Sequence, residues 1–181
     1  ISGRAPRICV LTDKGQQAFQ YVFHADPVES EYTLLLSRHK SLEHVSLNIV
    51  ARGILRKYGY SVDHNPSPVT LPSGGKLDVD IVARKGDQVL YVECERGTQN
   101  QENLYKKFDL LRAVTKDWYF VVPKRKVQSG LIDAINQWGK SRNRTVMVHI
   151  GDLSSQEKAK PEEKPWTYNR QSMTSNPKPT T

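Results

Sequence analysis

Two carboxylate pairs dominate the chemistry this sequence could perform. Asp78 and Asp80 sit in Leu77-Asp78-Val79-Asp80-Ile81-Val82-Ala83, and Glu93 and Glu95 sit in Val89-Leu90-Tyr91-Val92-Glu93-Cys94-Glu95. Both stretches are rich in β-branched and aromatic residues, and Lys85-Gly86-Asp87-Gln88 between them is turn chemistry, so they predict a β-hairpin. With Gly86 and Asp87 at the turn, Lys85 pairs with Gln88, which sets Asp80 opposite Glu93 and Asp78 opposite Glu95. Alternation then gathers the four carboxylates on one face and Val79, Ile81, Val92 and Cys94 on the other. Like charges facing each other across a ladder are destabilising, and the commonest compensation is a hard cation with oxygen ligands, here magnesium or manganese. The competing reading is an exposed acidic sheet face without a ligand.

The flanking elements must position this hairpin. Ser41 is a good N-cap for a helix reaching Gly59, with Leu47, Val50 and Ile54 as its inward stripe. Glu43 precedes Leu47 by one turn on that stripe, so it is either a first-turn residue favoured by the helix dipole or a further metal ligand. Tyr60 to His64 predicts a strand, and a Pro- and Gly-rich loop from Asn65 to Gly75 leads into the hairpin. Thr98-x-x-Gln101 is a capping-box pattern for a helix whose stripe is Leu104, Phe108, Leu111 and Thr115, with Lys106 and Lys107 in its second turn. Trp118 to Val122 is short and wholly apolar, as expected of a central strand buried on both faces. A helix over Val127–Gly139 and a strand over Thr145–Ile150 follow. The order from Ser41 onward is α-β-β-β-α-β-α-β.

Composition sets the frame. The 181 residues carry a formal charge of +8 and are 37% hydrophobic, enough for one sizeable α/β core and a preference for anionic partners. Cys9 and Cys94 are the two cysteines, which argues against a disulfide framework or a zinc site and suits a reducing cytosol. No apolar run approaches a membrane span, so a cytoplasmic protein without a membrane partner is expected. His39 and His44, five apart, make a poor helical metal pair and read as structural or surface residues. Three segments follow: residues 1–31, a main domain over 32–153, and a polar segment over 154–181 with the composition of a disordered tail. In the first of these, Gly3 to Arg7, a strand over Ile8 to Leu11, and a helix capped by Thr12 and reaching Phe23 resemble the wing and last helix of a winged-helix DNA-binding domain. A strand and helix packed on the main domain is the alternative.

An α-β-β-β-α-β order with Asp on the second strand and Glu-x-Glu on the third resembles the PD-(D/E)XK nuclease superfamily, whose fold is restriction-endonuclease-like with a mixed central sheet flanked by helices. The resemblance spans roughly Ser41 to Ile150 and rests on Val79-Asp80-Ile81 and Val92-Glu93-Cys94-Glu95-Arg96-Gly97. Val79 stands where the family often has Pro, and Glu95 where it usually has Lys. Some members carry Glu there, and others take the Lys from a neighbouring helix, a role open here to Lys107 and, second, to Lys106. The resemblance makes Asp80 and Glu93 the metal-binding pair, with the Cys94 carbonyl as third ligand and Asp78 in reserve. Glu95 would orient water, bind a second metal or act as general base.

Two function classes emerge. One is a magnesium- or manganese-dependent endonuclease that hydrolyses DNA phosphodiester bonds through Asp80, Glu93, Glu95 and Lys107. The other is a catalytically degenerate module of the same fold that holds DNA or a protein partner, the Lys-to-Glu departure being its support. A structural protein with a calcium-stabilised acidic patch fits the basic balance least well. The nuclease reading allows a homodimer, and an upstream winged-helix or other domain in a longer parent protein.

Overall fold

The computed structural model describes residues 11–39, 41–156 and 165–172. The wing-like stretch Gly3 to Arg7 and the strand expected from Ile8 lie outside the described residues. The chain divides between Ser46 and Leu47 into two compact units. In the smaller, α1 (Asp13–Phe23) is capped as expected by Thr12, whose hydroxyl accepts from the Gly15 amide at 3.2 Å. The run Tyr32 to Leu36 is helical, within α2 (Glu31–Arg38), capped by Ser30. His39 and His44 do not share a helix. The first ends α2 and the second opens α3 (Leu42–Lys57), and their ring centroids lie 4.4 Å apart.

The larger unit takes up α3 from Leu47. Then come β1 (Ser61–Val62), β2 (Val69–Thr70), β3 (Lys76–Leu77), β4 (Ile81–Lys85), β5 (Gln88–Cys94), α4 (Gln101–Val114), β6 (Asp117–Val122), α5 (Arg125–Arg142), β7 (Met147–Asp152), α6 (Leu153–Gln156) and β8 (Tyr168–Gln171). It is an α/β unit with a six-stranded mixed sheet in the order β1-β4-β5-β6-β7-β8, beside a separate ribbon of β2 and β3. Strands β5, β6 and β7 run parallel, joined by α4 and α5 as crossovers, and the outer pairings are antiparallel. The central place of β6 follows from its apolar run, which only a strand covered on both faces can bury.

Each sheet face has its own core. On one, Phe108 and Leu111 of α4 and Leu131, Ile135 and Trp138 of α5 pack on Val82, Trp118, Phe120, Val148 and Ile150. The Trp118 ring lies 4.9 Å from that of Trp138 and 5.2 Å from that of Phe108, close enough for aromatic contacts to add to area burial. On the other face, Leu47, Ala51 and Leu55 of α3 cover Ile81, Ala83, Leu90, Val92 and Cys94. The inward stripe of α3 is therefore turned from the expected one. Val50 is 45% exposed, whereas Asn48 and Arg52 are buried. Alanine at 51 provides a weaker sequence signal than valine at 50, yet only the former lies on the line through Leu47 and Leu55.

The segment expected as a tail contributes an edge strand. Residues Tyr168–Gln171 pair antiparallel with β7, and Trp166 is buried against the α3-side core. Main-chain bonds from Thr167 N to Ile150 O and from Ser172 N to Val146 O extend the ladder at both ends. An edge strand held by backbone bonds and one anchoring tryptophan needs no hydrophobic alternation, which is why composition concealed it. No helix among the described residues is long and apolar enough to cross a membrane.

Gly151 of β7 admits this strand. A Cβ there would lie 2.9 Å from the Pro165 carbonyl oxygen, backbone that can yield only by moving the segment. Gly151→Ala is expected to destabilise the fold by about 1–3 kcal/mol. Gly53→Ala, in exposed helix with no neighbour at its Cβ, is expected to stabilise it by about 0.5–1 kcal/mol. Urea unfolding of the two variants measures both.

Candidate active site

The β4–β5 register is the expected one, from Lys85↔Gln88 to Ile81↔Val92, with Gly86 at φ 56° in the turn. The ladder stops there. The chain bends at Asp80, and Asp78 and Val79 lie outside any strand. The bend breaks the alternation: Val79 packs with Val82 in the α4–α5 core, whereas Ile81 joins the α3-side core. Asp78 is exposed, and its neighbour Leu77 pairs with Val69 in the ribbon, so Asp78 is not opposite Glu95 as the uninterrupted hairpin required.

The other three carboxylates are buried, at 7% exposure for Asp80, 1% for Glu93 and 3% for Glu95. Taking charges out of water is costly unless they are paired, hydrogen-bonded or neutralised, and each is compensated differently. Asp80 Oδ2 accepts from the Cys94 amide at 2.8 Å, which ties the bend to the end of β5. Glu93 Oε2 accepts from Lys107 Nζ at 2.8 Å. Glu95 Oε1 accepts from the Gly97 amide at 2.8 Å and its Oε2 from Gln99 Nε2 at 2.9 Å. One atom is left over. Glu93 Oε1 is buried without a hydrogen-bond partner among the described residues.

Local sequence explains the convergence. Glu93 faces the α4–α5 core because its parallel partner is Phe120, and the Glu95 amide donates to Val121 O, holding the chain on β6 beyond Cys94. Gly97, at φ 76°, turns the chain away. The N-cap of α4 is Asn100 rather than Thr98, its Oδ1 accepting from the Asn103 amide at 2.9 Å. Lys107 lies on the α4 side that carries Leu104, Phe108 and Leu111, so its stem runs inward along apolar surface to reach Glu93. Lys106 points outward and pairs with Glu102 on the helix surface. Glu43 belongs to the smaller unit, in the first turn of α3, where its Oε2 accepts from Ser41 Oγ at 2.6 Å.

Sequence reasoning missed Arg52. This arginine is fully buried, and its guanidinium donates to the carbonyls of Asp63 at 2.8 Å, His64 at 3.2 Å and Asp80 at 3.1 Å. It clamps the Asp80 bend to the end of β1 and brings a fixed positive charge to the carboxylates. A fork of donors that cannot lose its proton suits this task. The available signal was an arginine adjacent to Ala51, once Ala51 rather than Val50 is placed on the inward line.

Protein-family models, curated proteins and solved structures were all compared with this chain, and none matches.

Burial pushes the Glu93 carboxyl up to about 7; Lys107 opposes the shift and Asp80 adds to it. Burial would lower the Lys107 ammonium, but Glu93, Asp80 and Glu95 outweigh it and hold it above the usual lysine value. The two directions agree: the carboxylates around the ammonium keep Lys107 charged, while burial opposes ionisation of Glu93. A carboxyl raised from 4.5 to about 7 on folding gives stability that is complete below pH 4.5 and disappears as pH rises through 7. In metal-free protein, the melting temperature of Glu93→Gln relative to wild type is expected to climb between those values and to level off above them. A difference that stays flat from pH 4.5 to 8 would contradict the raised carboxyl.

Proposed function

We propose that this chain carries a metal-dependent nuclease domain that hydrolyses DNA phosphodiester bonds, on a restriction-endonuclease-like core built from α3, β1, β4, β5, α4 and β6. The observation that carries this reading is the burial of Asp80, Glu93 and Glu95 around one ammonium, with Glu93 Oε1 still lacking a partner. An unsatisfied carboxylate oxygen inside a set of hard oxygen donors fits magnesium or manganese. Asp80 and Glu93 would hold the ion, together with the Cys94 carbonyl. When bound, the ion supplies Lewis-acid polarisation of the phosphate and a more acidic water. Asp78, exposed and off the strand, has no part in this reading, and none is assigned to Glu43.

The remaining work falls to side chains. Lys107, reaching in from α4, supplies the cation that the resembled family usually places at position 95, and its ammonium would stabilise charge building on the phosphoryl oxygens. A Glu95 carboxylate oxygen would take a proton from the attacking water as the water oxygen bonds to phosphorus, the bond from phosphorus to the leaving oxygen breaks, and the leaving oxygen takes up a proton from solvent. The formal charge of +8 supports a polyanionic substrate. A second reading, a module that binds DNA without cutting, is favoured by one observation: both Glu95 oxygens already hold the β5–α4 loop through Gly97 and Gln99.

Manganese at millimolar concentration is expected to raise the melting temperature of the wild type, and Asp80→Asn to abolish the rise. Metal-dependent cleavage of plasmid DNA should fall about a hundredfold or more in Glu95→Gln and in Lys107→Met, with DNA binding nearly retained. A wild type that binds DNA but neither takes up metal nor cuts would establish the binding module instead. Cleavage undiminished by Glu95→Gln would reduce Glu95 to a loop anchor.

A further inference from the structure

Beside the carboxylates lies a cleft of about 410 Å³, bounded by the β5–α4 loop and the first turns of α5. Glu95 lines it, so it opens directly off the site described above, at the carboxyl ends of the parallel strands β5 and β6. Crevices at that end of parallel strands are where α/β sheets receive ligands. Arg96, Lys124 and Lys126 give the cleft its charge, and Leu104, Val127 and Leu131 its apolar lining. Neither Lys124 nor Lys126 has a carboxylate partner among the described residues, and the first turn of α5 contains no acidic residue. Cations at the positive end of an 18-residue helix are unfavourable by themselves, and an external anion would relieve them.

Gly130 adds to the room in the cleft. It lies within α5 and lines the same cleft, yet a Cβ there would meet no atom within 4 Å. No protein neighbour requires glycine at this position, and glycine inside a helix is otherwise unfavourable. With glycine here, no side chain enters the cleft from this position of α5.

We propose that this cleft binds one nucleotide of the DNA strand next to the scissile phosphate, with its phosphate on Lys124 and Lys126 and its sugar against Val127 and Leu104. The assignment rests on reading the carboxylate site as that of a nuclease. The Glu95 carboxylate, which also lines the cleft, repels phosphate and so favours its seat on the lysines, while the apolar lining accepts the sugar. A lone anion would make no use of that lining.

The test is single-stranded DNA binding, followed by fluorescence anisotropy over a range of salt, without added metal. Lys124→Ala/Lys126→Ala should weaken binding and reduce the slope of log affinity against log salt by about 1.4, at roughly 0.7 per phosphate contact on a single strand. Lys140→Ala, at the far end of α5, should leave the slope unchanged. Gly130→Phe should weaken binding at unchanged slope, because it fills the cleft and removes no charge, whereas Gly130→Ala should bind as wild type. A deoxynucleoside monophosphate should displace the strand from wild type better than inorganic phosphate does. Equal displacement by inorganic phosphate would overturn the nucleotide assignment. Wild-type slope in the double lysine variant, together with wild-type affinity in Gly130→Phe, would overturn the cleft even if the protein cuts DNA. If these variants behave as expected while wild type shows neither a manganese-induced melting shift nor cleavage, the nuclease reading fails and the cleft stands as the strand site of a non-cutting module.

Discussion

Three carboxylates are buried at the end of one strand pair, and much of the larger unit is arranged to make that tolerable. Asp80, Glu93 and Glu95 are each almost inaccessible to water, where an isolated charge would cost several kcal/mol or neutralise itself. The chain answers with Lys107 from α4, Arg52 from α3 and main-chain amides from Cys94 and Gly97. Even so, Glu93 remains displaced toward its protonated form, with one oxygen unsatisfied. An apolar residue of similar volume at this position would avoid that desolvation cost.

The same architecture places the cleft. Because β5, β6 and β7 are parallel, their crossovers begin at one end of the sheet, and the β5–α4 loop meets the start of α5 there. Carboxylates on the ends of strands and cations on the following loop and helix thereby become neighbours, although Glu93 and Lys126 are far apart in sequence. The acidic site and the basic cleft are thus adjacent and opposite in charge.

Periodicity and turn chemistry alone determined much of this protein. The Gly86-Asp87 turn set the register as far as Ile81↔Val92, the Trp118 to Val122 run defined the central strand, and the order of helices and strands from Ser41 to Ile150 could be read directly, apart from the small β2–β3 ribbon. These features are local, resting on side-chain alternation and on residues whose backbone preferences are their own. Tertiary structure decided what depends on distant partners. The bend at Asp80 arises where Arg52 of a separate helix takes the Asp80 carbonyl and Cys94 takes its carboxylate, so Asp78 leaves the site while Asp80 stays. The rotation of α3 that buries Arg52 follows from packing on β4 and β5, and β8 exists because β7 offers it an open edge and Gly151 offers it room. Lys107 already stood on the predicted apolar stripe of Leu104, Phe108 and Leu111, and ranked ahead of Lys106, but its pairing with Glu93 depends on the docking of α4 on the sheet.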